Sequence, residues 1–219
     1  MQNKTKIIGI SGCTNSGKTT LAKRLQTQLS NSIVLEQDDF YIRDENSLEY
    51  LEEAESYNFD VITAIDVKKM KNQLQSLIDS AKFEWILVEG CFIYDDSFLL
   101  EKMDRKYFLF IDKEESARRR KTRVYPTRDT QKYLEKCVWP EFTKYRERCE
   151  RFYKDIIFID ASGTRDETFN KVYSDILNWS IKRENLFDSE VIQYDEYESN
   201  YFYRYFLAFS DLLNKLLSF

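Results

Sequence analysis

The stretch that decides the fold is Gly12-Cys13-Thr14-Asn15-Ser16-Gly17-Lys18-Thr19, close to the start of the chain. It matches Gly-x-x-x-x-Gly-Lys-[Ser/Thr], the pattern of a phosphate-binding loop. The apolar residues 6–10 before it predict a short buried strand, and the leucines at 21, 25 and 29 share one face of a predicted helix. When a loop of this kind lies between a strand and a helix, its backbone N–H groups and the positive end of the helix surround phosphate oxygens. The stretch therefore predicts binding of a nucleoside triphosphate.

Length and charge set the broad class of the protein. The 219 residues suffice for one α/β domain, and 42% hydrophobic with 32% charged residues is typical of a soluble enzyme. A net charge of −5 gives no reason to expect nucleic acid or an anionic membrane as a partner. No run approaches the roughly 18 apolar residues of a membrane span. Glycines interrupt the only N-terminal apolar run, so we expect no signal peptide and a cytoplasmic location.

Cysteine and histidine usage limits the chemistry. The four cysteines, at 13, 91, 137 and 149, form no C-x-x-C pair, and the chain contains no histidine. A Cys/His zinc site is therefore excluded, and reduced structural thiols are expected. Proton transfer must fall to carboxylates, lysine, tyrosine or cysteine, because no imidazole is present.

Apolar runs and helical spacings alternate along the chain. Buried strands are predicted at 6–10, 32–35, 85–88, 107–111 and 156–159, with helices at 66–81, 113–122, 140–153 and 165–182. Five such strands with intervening helices predict a doubly wound α/β fold with a five-stranded parallel sheet. Sites in such sheets lie at the carboxyl ends of the strands. The acidic segment 44–57 has no apolar period, and it fits either a solvated loop or a mobile arm beside the substrate.

Carboxylates follow two of the predicted strands. Asp38 and Asp39 come after strand 32–35, and Glu89 follows strand 85–88 directly, just before Gly90. At these positions a carboxylate can orient Mg²⁺ or accept the proton of an attacking hydroxyl. Paired aspartates are also ordinary in turns, and a charge commonly ends a buried strand. The phosphate-binding loop nearby favours the functional interpretation.

A cluster of arginines forms the second strong motif. Residues 118–120 are three consecutive arginines, and Arg123 follows four residues after Arg119. Successive helix residues lie about 100° apart, so Arg119 and Arg123 share a face while Arg120 points elsewhere. One face could hold the triphosphate while Arg120 addresses the second substrate, as in a lid that closes on a transferring phosphoryl group. The alternative is a solvated basic helix face.

Several motifs in matching order resemble the nicotinamide riboside kinases. These are Ile8 to Lys23 around the loop, Gln37 to Phe40, Val88-Glu89-Gly90, Arg118 to Arg120 with Thr122 to Tyr125, Val138-Trp139-Pro140, and Lys144-Tyr145-Arg146. The arginine lid with Val-Trp-Pro and Lys-Tyr-Arg is the most specific part. The resemblance implies a P-loop NTPase fold, related to that of uridine kinase and phosphoribulokinase. It also implies transfer of the γ-phosphate of ATP to the ribose 5′-hydroxyl of nicotinamide riboside, or of nicotinic acid riboside, in NAD salvage.

The resemblance also assigns roles to individual residues. ATP would contact Gly12, Cys13, Thr14, Asn15, Ser16, Gly17, Lys18, Thr19, Thr20, Arg119, Arg123, Val124, Tyr125, Gly163, Thr164 and Arg165. The riboside would contact Asp38, Asp39, Phe40, Tyr41, Phe59, Asp60, Arg120, Tyr125 and Pro126. Asp60 with Arg120 would bind the ribose hydroxyls, and Phe59 and Tyr125 would enclose the pyridine ring. Thr19 and Asp38 would hold Mg²⁺, and Asp38, Lys18 and Glu89 would be the catalytic residues, with Asp38 as the general base.

Phe59 stands where close relatives carry tyrosine, which keeps the stacking and loses a hydroxyl.

Two alternatives to this function stay open. A uridine or cytidine kinase is the alternative among enzymes, although a cationic pyridinium favours an aromatic enclosure by cation–π attraction. A nucleotide-binding interaction protein that acts through its C-terminal tail is the alternative outside enzymes.

The predicted domain organisation is a P-loop kinase domain over residues 1–183 and an aromatic, acidic extension over 184–219. The lid is expected at about 117–137. Phe202, Phe206, Phe209, Leu213 and Leu216 form a helical apolar stripe in the extension. Such a stripe either packs onto the kinase domain or mediates self-association, and a monomer is the first expectation.

Overall fold

A computed structural model of the chain describes residues 5–121 and 130–183. Its strands are β1 (Lys6–Gly12), β2 (Ser32–Glu36), β3 (Tyr50–Leu51), β4 (Ser56–Tyr57), β5 (Trp85–Glu89), β6 (Arg105–Phe110) and β7 (Ile156–Asp160). Its helices are α1 (Lys18–Gln28), α2 (Val67–Asp79), α3 (Ser97–Lys102), α4 (Lys113–Arg120), α5 (Gln131–Tyr133), α6 (Trp139–Phe152) and α7 (165–183). Short 3₁₀ turns occupy Gln37–Phe40, Glu45–Ser47 and Ile62–Ala64, and a π-helical turn occupies Leu134–Val138.

The predicted parallel sheet is confirmed, with five strands in the order β2-β5-β1-β6-β7. All four pairings between neighbouring strands are parallel. The central strands are buried on both faces, and Ile8, Ile86 and Phe108 are each 0% exposed. Both faces of the sheet are therefore covered, which explains why these strands are continuous apolar runs instead of alternating ones.

The register of the sheet brings functional positions to one edge. Ile10 of β1 is opposite Glu89 of β5, and Gly12 is opposite Leu109 of β6. The phosphate-binding loop leaves β1 at this edge, Asp38 follows β2 there, and residues 161–165 follow β7. The carboxyl ends of the strands, where α/β folds place their sites, thus gather the candidate residues.

The acidic segment 44–57 contains a small hairpin that the sequence pattern did not predict. Strands β3 and β4 pair antiparallel, with Tyr50 opposite Tyr57. Ala54 in the turn is buried in one cluster with Tyr133, Leu134, Cys137 and Val138. The hairpin therefore packs against helical residues 133–138, most of which belong to the lid predicted at about 117–137.

The helical segment that contains the helix predicted at 140–153 starts earlier than predicted. Pro140 suggested a helix start, whereas α5 and the π-helical turn lead into α6 without a break from residue 131. Because proline has no N–H to donate, it is compatible with a change of hydrogen-bond pattern at this junction.

Contacts divide the chain into the units Met1–Val172 and Tyr173–Phe219. The sheet lies in the first unit, and the described residues of the second, 173–183, are helical. The predicted boundary after residue 183 and the apolar stripe of the extension lie at or beyond the last described residue, so they stay predictions. No helix within 5–121 or 130–183 combines the length and the apolar character needed to cross a bilayer.

Candidate active site

The phosphate-binding loop connects β1 to α1 through two glycines with positive φ. Gly12 has φ +131° and Gly17, directly before α1, has φ +95°. Lys18 is buried, and its Nζ donates to the carbonyl oxygens of Gly12 at 3.1 Å and Cys13 at 2.9 Å. The ammonium group thus lies inside the loop, where it can exchange carbonyl oxygens for phosphate oxygens.

Glu89, the last residue of β5, is hydrogen-bonded to the start of α1. Its Oε1 accepts a hydrogen bond of 2.9 Å from the Thr19 hydroxyl, and the residue is only 2% exposed. Burial raises the pKa of the Glu89 carboxyl, although Lys18 and the Thr19 hydrogen bond oppose that shift. Burial lowers the pKa of Lys18 in turn, but its neighbours, Cys91 and Glu89 foremost, reverse this effect and raise the pKa overall.

A cavity of about 820 Å³ opens beside the loop. Its walls come from the loop and α1 (Asn15, Ser16, Gly17, Lys18, Thr19, Thr20, Lys23), from β2 and the turn after it (Glu36, Asp38), from α4 (Arg118, Arg119), and from the region after β7 (Ala161, Gly163, Thr164, Arg165, Thr168). Five of these side chains are basic and two are acidic. The chain as a whole carries −5, so positive charge is concentrated where a triphosphate would lie.

Arg119 joins three parts of this cavity. Its guanidinium donates to the carbonyl oxygens of Asn15 at 3.4 Å and Ala161 at 2.9 Å, and to Glu115 at 2.5 Å. Hydrogen bonds from Arg118 and Arg119 lower the pKa of the Glu115 carboxyl to about 2. Arg119 is therefore fixed in the wall of the cavity, where it connects the loop, α4 and the region after β7.

The cavity brings together most, but not all, of the residues predicted to bind ATP. It gathers Asn15 to Thr20, Arg119 and Gly163 to Arg165. Gly12, Cys13 and Thr14 do not line it. Cys13 is buried with its thiol 3.8 Å from the Ser116 hydroxyl, and Thr14 accepts a hydrogen bond of 3.2 Å from Arg120. Arg123, Val124, Tyr125 and Pro126 lie outside the described residues, as do residues 122–129 of the predicted lid.

The residues predicted to bind the riboside lie on the segments after β2 and after the hairpin. Asp38 and Asp39 are exposed, whereas Phe40 is buried. Tyr41 and Phe59 face each other edge-on, with ring centroids 6.3 Å apart. Asp60 is half-buried and accepts a hydrogen bond of 2.8 Å from the Tyr133 hydroxyl.

Sequence reasoning missed five residues that line the cavity: Lys23, Glu36, Arg118, Ala161 and Thr168. Lys23 pairs with Glu36 at 3.2 Å and lies four residues after Thr19. Helical spacing alone could therefore have placed Lys23 on the same face as the loop threonine. Arg118 belongs to the arginine run that was recognised, but it was not given a role.

The side chains at this edge fit a magnesium ion. Thr19 and Glu89 are in direct contact, and Asp38 lines the same cavity as Thr19, which gives an all-oxygen donor set. Magnesium keeps several waters and takes one or two protein carboxylates together with substrate phosphates. Within residues 5–121 and 130–183, no three Cys, Asp or Glu side chains form a group that could hold a metal ion.

Comparison with known proteins identifies relatives over most of the chain. A family model described as "AAA domain" matches residues 8–151. Nicotinamide riboside kinase 1 of Homo sapiens is 35% identical over 84% of this chain and 98% of its own. Nicotinamide riboside kinase 2 of Homo sapiens is 32% identical over 81% and 83%, and a uridine kinase of Halalkalibacterium halodurans is 30% identical over 75% and 90%.

Solved structures show the same fold at low identity. A thymidylate kinase from Candida albicans superposes with a TM-score of 0.53 at 18% identity, over 81% of this chain and 93% of its own. A gluconokinase from Sinorhizobium meliloti gives 0.53 at 14% identity, over 85% and 98%.

A P-loop kinase is defined here by a parallel sheet with a glycine-rich loop after its first strand, a buried acid against the loop threonine, and arginines in the wall of the cavity. Within this class, the chain is more than 30% identical to both human nicotinamide riboside kinases over most of its length and theirs. The chain belongs to the nicotinamide riboside kinase family, and the resemblance read from its motifs is confirmed.

Proposed function

We propose that the protein transfers the γ-phosphate of ATP to the ribose 5′-hydroxyl of nicotinamide riboside, giving the mononucleotide in NAD salvage. The observation that carries this proposal is 35% identity to nicotinamide riboside kinase 1 over 98% of that relative. The cavity supports it, since loop, arginine and acid surround one space large enough for a nucleotide. A cytoplasmic monomer that uses Mg²⁺ completes the proposal.

The environments of the two acids favour different roles for them. Asp38 is exposed and lines the cavity, so the 5′-hydroxyl of a riboside can reach its carboxylate and transfer its proton to it. Glu89 is buried behind Thr19 and cannot be approached in the same way. We therefore propose Asp38 as the general base and Glu89 as the residue that holds the Thr19 hydroxyl in position.

Positive charge is supplied by two residues from different elements. Lys18 and Arg119 approach the cavity from α1 and α4, and both would face the negative charge that develops on the transferred phosphoryl group. Thr19 and Asp38 would hold Mg²⁺, which would supply further positive charge to the phosphate oxygens when bound.

A uridine or cytidine kinase is the second candidate, and the 30% identity to a uridine kinase favours it over other nucleoside kinases. The test is the rate of ATP-dependent phosphorylation of nicotinamide riboside, nicotinic acid riboside, uridine and cytidine by the full chain. We expect the highest kcat/KM for a pyridine riboside. Preference for uridine would overturn the assignment while leaving the kinase class intact.

Lys18→Ala is the negative control for this assay, because it removes charge from the triphosphate site. The exposed Lys82→Ala is its matched counterpart and should keep full activity. No phosphate transfer to any riboside by the unmodified chain, with ATP still bound, would favour a nucleotide-binding interaction protein.

A further inference from the structure

Tyr133 contacts the loop that carries the predicted riboside residues. Its hydroxyl donates to Asp60 Oδ2 at 2.8 Å and accepts a hydrogen bond of 3.1 Å from the backbone N–H of Phe59. The residue is 5% exposed, and burial together with the Asp60 carboxylate raises the pKa of its hydroxyl. The hydroxyl therefore stays protonated and keeps donating to Asp60.

A second side chain from the same helical segment supports this loop. Cys137 donates its thiol proton to Asn58 Oδ1 at 3.0 Å, and the same oxygen accepts from the N–H of Asp60 at 3.1 Å. Burial raises the pKa of Cys137 to about 12, so the thiol is a neutral donor. Asn58 is 4% exposed, and its own N–H donates to the Glu49 carbonyl at 2.8 Å. Residues 58–60 are thus fixed through both backbone and side chains.

The contacts come from an unusual turn. Tyr133 directly precedes the π-helical turn Leu134–Val138, in which hydrogen bonds span five residues. Such turns change which side chains face a neighbouring element, and they occur frequently at functional sites. The same turn packs against the β3–β4 hairpin through the cluster that includes Ala54 and Leu134. The segment 131–138 therefore has two anchors, the hairpin and the loop 58–60.

We propose that Tyr133 is a positioning residue that holds the Asp60 carboxylate and the Phe59 backbone in the geometry needed to bind the ribose hydroxyls. This inference rests on the proposed function, because it takes Asp60 as the ribose ligand. It adds a residue from the helical segment 131–138, and it makes the discrimination of ribose hydroxyls depend on that segment.

The decisive variant is Tyr133→Phe, which keeps the ring in the hydrophobic cluster and removes both hydrogen bonds. Loss of a hydrogen bond to a charged group predicts a rise of about tenfold in KM for the riboside. KM for ATP and kcat should change by less than about twofold, because both bonds lie on the riboside side of the protein. Tyr50→Phe is the matched control, since Tyr50 is an exposed hairpin tyrosine whose ring packs edge-on against Tyr57.

Deoxyribosides separate a positioning role from a merely structural one. If Tyr133 acts through the grip of Asp60 on ribose hydroxyls, Tyr133→Phe should lose less activity on the 2′- or 3′-deoxyriboside than on the riboside. The ratio of kcat/KM between riboside and deoxyriboside should then fall by about tenfold. A general loss of folded enzyme would lower both values together and leave the ratio unchanged.

A double-mutant cycle with Asp60→Ala, which removes the acceptor of the Tyr133 hydroxyl, completes the test. In the Asp60→Ala background, Tyr133→Phe should change riboside KM by less than about twofold, because the carboxylate that Tyr133 positions is already absent. Additive effects, or equal losses for riboside and deoxyriboside, would overturn the proposal. If the unmodified chain prefers uridine, the function assigned above fails, and the same measurements on uridine still test Tyr133.

Discussion

At the scale of single residues, two carboxylates share one site and differ in their surroundings. Asp38 is exposed to the cavity, whereas Glu89 is buried and accepts a hydrogen bond from Thr19. Lys18 lies close enough to Glu89 to oppose the rise in its pKa. One acid is therefore accessible to a substrate hydroxyl, and the other is part of the scaffold of the phosphate-binding loop.

We expect Asp38→Asn to lower kcat by at least about 10²-fold, because it keeps the shape and removes the proton acceptor. Glu89→Gln should lower kcat less, since it retains an acceptor for the Thr19 hydroxyl. Steady-state kinetics with saturating ATP and riboside measure both, with thermal unfolding to verify that each variant is folded. The reverse order of effects would assign the base to Glu89.

The raised pKa of Glu89 also predicts how stability depends on pH. An unfolded chain releases this proton near pH 4.5, while the folded protein holds it to higher pH. Between these values the folded state binds more protons, so the contribution of Glu89 to stability is lost as pH rises. Glu89→Gln does not titrate, so its melting temperature relative to that of the parent should increase as the pH is raised above about 4.5.

The exposed Glu101 on α3 provides the matched control for this measurement. Glu101→Gln should show no comparable increase over the same range of pH. A constant difference between Glu89→Gln and the parent would contradict the assignment of a raised pKa. The expected increase in melting temperature, together with a lower kcat of Glu89→Gln, would show that the protein retains this acid for activity at a cost in stability.

At the scale of elements, the hairpin is held by apolar contacts more than by charges. Leu134 is 3% exposed in the cluster that covers Ala54. The ion pair between Lys132 and Glu55 joins side chains that are 48% and 70% exposed. Exposed pairs of this kind contribute about 0–1 kcal/mol, whereas a buried leucine contributes several times more.

Leu134→Ala should therefore lower the free energy of unfolding by about 2–5 kcal/mol. Glu55→Gln, which removes one charge of the pair while keeping its size, should lower it by less than about 1 kcal/mol. Urea denaturation of both variants beside the parent measures the difference. Equal losses would mean that the charges fix the hairpin.

These elements also show which parts of the structure the sequence could predict. Strands β1, β5 and β6 were predicted because strands buried on both faces are continuous apolar runs. The hairpin was not, since its strands have two residues each and depend on contacts with a segment about 80 residues away. Helix α3 has six residues, too few for a helical period, although Asp96 caps it.

The candidate site divides in the same way. The loop, Asp38 and Arg119 were predicted because each belongs to a motif whose residues lie close together in the sequence. The contact between Glu89 and Thr19 depends on the register of β5 against β1, which no local pattern reveals. Tyr133 was missed for a related reason, because its partner Asp60 is 73 residues away along the chain.

At the scale of the whole molecule, every described site residue lies in the unit Met1–Val172. A chain that ends at residue 183 should therefore keep its kcat and both KM values within about twofold. A large loss of activity at unchanged fold would show that residues 184–219 contribute to the site.

The same truncation tests the two expectations for the apolar stripe at residues 202–216. Packing onto the kinase domain predicts a lower melting temperature at unchanged molecular mass. Self-association predicts that a larger assembly of the full chain disappears, which light scattering measures. Unchanged mass and unchanged melting temperature would contradict both.

The two positive-φ glycines of the loop differ in their tolerance of sequence variation. A Cβ at Gly12 would lie 1.9 Å from the Leu109 carbonyl oxygen, so no larger residue has room. At Gly17 nothing lies within 4 Å, and only the backbone conformation opposes a side chain. In a saturation library selected for growth on the riboside, position 12 should retain glycine alone. Position 17 should retain glycine with a minority of asparagine, the residue that accepts positive φ most readily.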